Sequence, residues 1–142
     1  MQNRVIYLIL IIGIMLGCSS MLPLSGTNLE RSHYLYQDNE IILATLFRQF
    51  GTVGFGYDFL IVNKSDRLID IDFDSHDLIL ISGGEGFTAK KESSRGYFPI
   101  FLKSGESINF VFLMPPGMNQ NTPIDYQLFR LDRKEYKLQK RS

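Results

Sequence analysis

The sequence predicts an all-β fold: an antiparallel sandwich of about seven or eight short strands, with a barrel as the alternative. Beyond residue 39 the apolar side chains recur with a period of two, which puts them on one face of a strand. The chain has only two alanines, Ala44 and Ala89, and no long stretch with helical spacing. Clusters of Gly, Pro, Asn and Ser interrupt the alternating runs at short intervals, where a chain must reverse.

Taken in order, the elements divide the chain into residues 1–17, a signal peptide; 18–38, a tether; and 39–142, the folded domain. In the first, Val5 to Leu16 is apolar apart from Gly13 and Tyr7 and follows a single Arg4. As a helix it would span about 18 Å, too short for a bilayer core of about 30 Å and right for a signal-peptide hydrophobic region. Pro23, Gly26 and the surrounding Ser, Thr and Asn residues read as a tether, although His33-Tyr34-Leu35-Tyr36 could dock as a first short strand.

The domain opens with Glu40–Phe50, the one place where a helix competes with a strand, and continues with Phe55–Asn63. Ile69, Ile71 and Phe73 then alternate with Asp70, Asp72 and Asp74. Asp77–Ser82 and Tyr97–Leu102 follow. Ile108, Phe110 and Phe112 alternate with Asn109, Val111 and Leu113, a strand apolar on both faces. Tyr126, Leu128 and Arg130 alternate with Gln127, Phe129 and Leu131, and Tyr136–Leu138 closes the series. Turns are expected at Gly51–Gly54, Asn63–Asp66, Ser82–Gly86, Lys103–Glu106 and Pro115–Gly117.

Met15-Leu16-Gly17-Cys18-Ser19-Ser20 resembles the lipobox of bacterial lipoproteins, with a small residue directly before the cysteine. Met15 stands where Leu is favoured and Leu16 where a small residue is usual. The resemblance implies that the chain is cut before Cys18, that diacylglycerol is joined to the thiol, and that the new amino terminus is acylated. Two or more acyl chains anchor stably where one is marginal. Ser19 is compatible with delivery to an outer membrane if the host is Gram-negative.

Phe59-Leu60-Ile61-Val62-Asn63-Lys64-Ser65, the later Leu102-Lys103-Ser104-Gly105-Glu106 turn and the strand at Tyr126 together resemble small immunoglobulin-like modules of secreted bacterial proteins. That resemblance implies an immunoglobulin-like sandwich and carries no catalytic residues with it.

Composition excludes several functions. Fifteen basic residues balance fifteen acidic ones, which argues against a nucleic-acid binder, since such proteins need a basic surface. One cysteine cannot make an internal disulfide or a cysteine-rich metal site. Loss of residues 1–17 would remove Arg4 and leave 14 basic against 15 acidic residues.

The sharpest local cluster is Asp70-Ile71-Asp72-Phe73-Asp74-Ser75-His76-Asp77. Calcium loops space carboxylates two apart, so Asp70, Asp72 and Asp74 are the candidate metal ligands. A strand with acids outward and Ile and Phe inward explains the same residues, and no metal or cofactor is expected. Ser75, His76 and Asp77 do not make a hydrolase triad, because triads converge from distant segments. Gly51–Gly56 lacks the lysine of a phosphate loop and reads as a hairpin turn. Residues 130–141 read as a solvated hairpin with a frayed tail, and the Pro115–Pro123 loop as either a rigid crossover or a binding loop.

The expectation is therefore a non-enzymatic cell-envelope lipoprotein. It is held to the membrane through acylated Cys18 and acts as a protein-binding or assembly module, with a protein partner in the envelope and no nucleic acid. The contact would be a loop end or an exposed sheet edge. The alternatives are an accessory lipoprotein of a secretion or envelope machine, or a small-ligand or cation carrier using Asp70–Asp77.

Overall fold

The computed structural model describes residues 29–72, 76–92 and 100–142. The signal peptide, Cys18, most of the tether, Asp74 and Ser75 lie outside these residues. The described chain is all-β and antiparallel throughout. Eleven strands occur in order: β1 Tyr34–Gln37, β2 Ile41–Phe50, β3 Gly54–Asn63, β4 Ile69–Ile71, β5 His76–Ser82, β6 Glu85–Thr88, β7 Lys90–Lys91, β8 Ile100–Leu102, β9 Ser107–Leu113, β10 Tyr126–Leu131 and β11 Lys134–Lys140. Glu40–Phe50, where a helix competed on paper, is strand. Its β-branched and aromatic side chains pack on a pleated surface.

Nine strands share one sheet, in the order β6-β5-β10-β11-β1-β2-β3-β9-β7. The pairing is not divided between two sheets because β1 pairs with β11 on one side and β2 on the other. Residues 34–37, within the span assigned to the tether, are thus a central strand, as the docking alternative for His33–Tyr36 anticipated. β6 and β7 stand at opposite ends of the strand order, yet only Ala89 separates them in sequence. Ala89 N donates to Leu78 O (2.8 Å), prolonging the β5–β6 ladder, and Glu92 N donates to Val111 O (3.0 Å), prolonging β7–β9. Residues 85–92 pair first with one edge of the sheet and then with the other, so the sheet curls almost into a barrel. An Asp77–Lys91 ion pair (3.5 Å) spans the join.

The core shows the same curl. Phe59 on β3 and Phe129 on β10 are four strands apart in the order, roughly 19 Å on a flat sheet at about 4.8 Å per strand. Their ring centroids are 4.3 Å apart. Phe112 meets Phe59 edge-on at 5.6 Å, and Leu43, Ile61, Leu78, Leu80 and Leu138 fill the remaining inner positions. Each such burial contributes about 1.5–3 kcal/mol. A polar link also crosses the interior: Thr45 Oγ1 on β2 donates to Gln127 Oε1 on β10 (2.7 Å), both residues fully buried. Burial pushes the neighbouring Tyr57 hydroxyl far up, with Tyr34 adding and Gln127 opposing.

β4 and β8 form a separate two-stranded ribbon. Ile71 and Leu102 on it are buried in the core, with Ile69 half-buried beside them. The antiparallel register sorts the connections into two ends. At one end lie the β1–β2, β3–β4, β8–β9 and β10–β11 connections. At the other lie the β2–β3 and β5–β6 turns, the 114–125 loop and the entry of the chain at Leu29.

A Cβ added at Gly56 would lie 2.2 Å from Phe112 O, whereas one added at Gly86 would meet only side-chain atoms of Ile79 and Ile81, at 3.3 and 3.4 Å. Gly56→Ala is expected to force β3 from β9 and to cost on the order of 2 kcal/mol or more in urea unfolding, the range for overpacked sites. Gly86→Ala should change stability by under about 1 kcal/mol. Equal effects of the two variants would contradict the β3–β9 contact.

Candidate functional site

The predicted site residues are not gathered by the fold into one place. Asp70 is exposed on β4, opposite Phe101 of β8, while Ile71 points into the core. Asp72 is exposed just beyond the strand, and Asp74 lies outside the described residues. Among the described residues no three His, Cys, Asp or Glu side chains are grouped to hold a metal ion. His76 begins β5 opposite Leu131, and Asp77 stands opposite Arg130. Gly51–Val53 is the hairpin turn expected, closed by Val53 N donating to Phe50 O (2.9 Å). Residues 130–140 make the expected hairpin, with an Arg130–Glu135 pair at 2.9 Å. The tail does not fray at Arg141: its N donates to His33 O (2.8 Å) and its guanidinium to Leu29 O (2.7 Å). In the 114–125 loop, Met114 and Met118 pack on the core.

What the fold does build is a rigid polar surface at the end away from Leu29. Its centre is Asn63, fully buried at the end of β3. Asn63 Nδ2 donates to the carbonyls of Arg67 (2.7 Å) and Leu102 (2.8 Å). Its Oδ1 accepts from Ser65 N (2.9 Å) and Ser65 Oγ (2.7 Å). One side chain therefore ties the β3–β4 turn to the β8 strand, an arrangement in which each buried polar atom finds a partner.

Beside it, Asp38 shapes the β1–β2 turn. Its Oδ1 accepts from Glu40 N and Ile41 N (both 2.8 Å), and its Oδ2 accepts from Tyr36 OH (2.7 Å). This is the Asx-turn geometry that aspartate favours at reversals. Glu40 is paired with Arg67 at 2.8 Å, and Lys64 Nζ donates to Asp38 O (3.1 Å). Between these groups lies a cleft of about 190 Å³, bounded below by Ile41, Ile69, Leu131 and Tyr136. Tyr36 and Tyr136 meet edge-on at 5.1 Å, and Lys134 lies over the Tyr136 ring at 4.8 Å.

The ribbon adds the apolar part. Leu68 is 57% exposed and Phe101 52% exposed. The register pairs Asp70 with Phe101 and Ile69 with Leu102, and Leu68 directly precedes β4. Arg67, Asp66, Asp70 and Lys103 border them in sequence and register. An aromatic and an aliphatic side chain, exposed beside charges of both signs, thus form the apolar part of this end, on a turn framework fixed by Asn63 and Asp38. In the sequence, Asn63 stands out only as the strand end and turn that carry the immunoglobulin-like resemblance, and Phe101 reads as one more strand residue between Ile100 and Leu102.

A scan against protein-family models found no match, and searches of curated proteins and of solved structures found none either.

Partial burial pushes the Asp38 carboxyl up, but hydrogen bonds from Tyr36 and from the Ile41 and Glu40 amides, with the charge of Lys134, outweigh it and hold it low. The Tyr36 hydroxyl is raised, first by its bond to Asp38. Folding therefore favours ionised Asp38, whose contribution is complete above the ordinary value of about 3.9 and fades as pH falls below it. Neutral Tyr36 contributes fully below the ordinary value of about 10, and that contribution is lost as pH rises through the raised one. Asp38→Asn should flatten the stability profile at both extremes. An unchanged profile, followed by denaturant midpoint against pH, would remove Asp38 from this role.

Proposed function

We propose that this protein is a non-enzymatic lipoprotein of the bacterial cell envelope, anchored through acylated Cys18, that binds a protein partner with the end of the barrel farthest from the anchor. The reading rests on one observation above the rest: the exposed Phe101 and Leu68, on and beside the β4–β8 ribbon, lie at the end opposite the entry of the chain at Leu29. A tether that enters at one end leaves the other free to meet a partner. Aromatic residues next to a charged rim are the usual energetic centre of such contacts. For the fold we infer an immunoglobulin-like arrangement in a loose sense. Its support is that β5, β10 and β11 face β2, β3 and β9 across a shared aromatic layer, with Phe59 against Phe129.

Cys18→Ser should move the protein from the membrane fraction to the soluble one once the signal peptide is accounted for, and mass spectrometry of the native chain should show the acyl mass. A native chain without that mass would end the anchor assignment.

A photo-crosslinking residue at position 101 should trap one stoichiometric envelope protein from solubilised membranes. Phe101→Ala combined with Leu68→Ala should weaken capture of that same protein at least about tenfold, as loss of a central aromatic anchor does, with the melting temperature little changed. Capture that survives the double variant undiminished would place the contact elsewhere.

A further inference from the structure

We propose that the end of the barrel nearest Leu29 lies on the lipid surface, with the tip of the β2–β3 hairpin, Phe50 and Val53, seated in the bilayer interface. This rests on the Cys18 anchor proposed above and specifies how the anchored domain is oriented.

The first support is the point where the chain enters. His33 N donates to Thr45 O (2.7 Å) and Phe47 N donates to His33 Nδ1 (3.0 Å), which fixes the incoming chain beside the outer half of β2. From Cys18 to Leu29 is eleven residues, at most about 36–40 Å when fully extended. The proposed anchor therefore joins the domain at this end of the barrel and not at the other.

The second support is the shape of the hairpin. The β1 ladder on β2 stops at Thr45, while β2 and β3 stay paired as far as Phe50 and Gly54. The β9 ladder on β3 stops at Gly56, with one further bond from Met114 N to Phe55 O (2.9 Å). The hairpin thus projects past its neighbours, and its extremity from Phe50 to Gly54 carries no charge. Phe47 and Phe55 stack at 5.8 Å, and the Arg48 guanidinium lies 5.9 Å over the Phe50 ring. Val53 at the tip is 67% exposed. Arg48 is paired with Asp58 on the shaft, which leaves charge behind the apolar tip, as an interfacial element requires.

The third support is an asymmetry between the two ends. Each turn described at the far end carries charge: Asp38 and Glu40, Lys64 to Arg67, Lys103 and Glu106, Asp132 and Arg133. At the entry end, Gly51-Thr52-Val53, Gly83-Gly84 and the whole stretch from Met114 to Ile124 carry none. Around them, Arg31, Arg48, Lys90, Lys140 and Arg141 stand against Glu30, Asp58, Glu85 and Asp125, a near balance. The contact is therefore apolar rather than a basic patch drawn to anionic lipid.

The test uses the acylated full chain, with acylation verified by mass, in phosphatidylcholine vesicles with and without phosphatidylglycerol. Val53→Cys and, separately, Leu68→Cys carry an environment-sensitive fluorophore. Both positions are exposed, so neither label should disturb the fold. Thr52→Cys serves as a second tip position. The tip probes should shift to the blue, be quenched by a lipid-borne quencher, and be clearly less open to aqueous iodide than the probe at 68. Phosphatidylglycerol should make little difference.

In an acylated chain, tip probes as open to iodide as the one at 68 would overturn the orientation while leaving the anchor standing. Protection that follows protein density instead of the lipid quencher would assign the tip to a second copy and overturn it too. A chain with no acyl mass that does not float with vesicles would overturn anchor and orientation together.

Discussion

The structure depends on the closure of its sheet by residues 85–92. A strand that pairs with β5 through its first half and with β9 through its second brings the two edges of the sheet together. Only then can β3 meet β10 through Phe59 and Phe129. Had the edges stayed apart, the inner faces of β2, β3 and β9 would look into solvent. Large aromatic side chains would have no opposing layer, and the dispersion contacts of a dense interior would be lost. Closure also shortens the free edges of the nine-stranded sheet, the usual sites of strand addition.

Much of the local structure was legible because strand alternation is a local signal. Ile69 and Ile71 against Asp70, and Gln127, Phe129 and Leu131 against Arg130, sort to inner and outer faces as their period demands. The antiparallel, all-β class follows from this. The closure was not legible. Glu85-Gly86-Phe87-Thr88 reads as the end of a glycine-rich turn, and nothing local in Lys90 and Lys91 names β9 as a partner. Residues 34–37 were assigned to the tether because their position in the chain outweighed their aromatic content, yet Tyr34 is buried between β2 and β11. The strand number exceeds the expected seven or eight because one continuous stretch serves as β6 and β7, and because β4 and β8 form a ribbon of their own.

The candidate surface was harder still to see, for a physical reason. Asn63 acts through four hydrogen bonds to backbone and side-chain groups that only the fold assembles, two of them to carbonyls at Arg67 and Leu102. The exposure of Phe101 is a property of the ribbon, since the same Ile-Phe-Leu triplet would bury its centre in a sheet covered on both sides. The acidic run shows the converse. Its alternation reads as a strand with acids outward and apolar residues inward, and Asp70 is indeed the outward member of a strand whose inward member, Ile71, is buried in the core.

β1 lies between β2, its neighbour in sequence, and β11, which forms about a hundred residues later. The pairing of Tyr34 with Lys140 cannot exist until β11 has been made and released, so assembly is controlled by a contact of very high sequence separation. The earlier strands can collapse but cannot complete a stable sheet without the last one. In a chain arranged this way, the first and last described strands are neighbours, and the middle of the sheet is set by the contact that spans the most sequence.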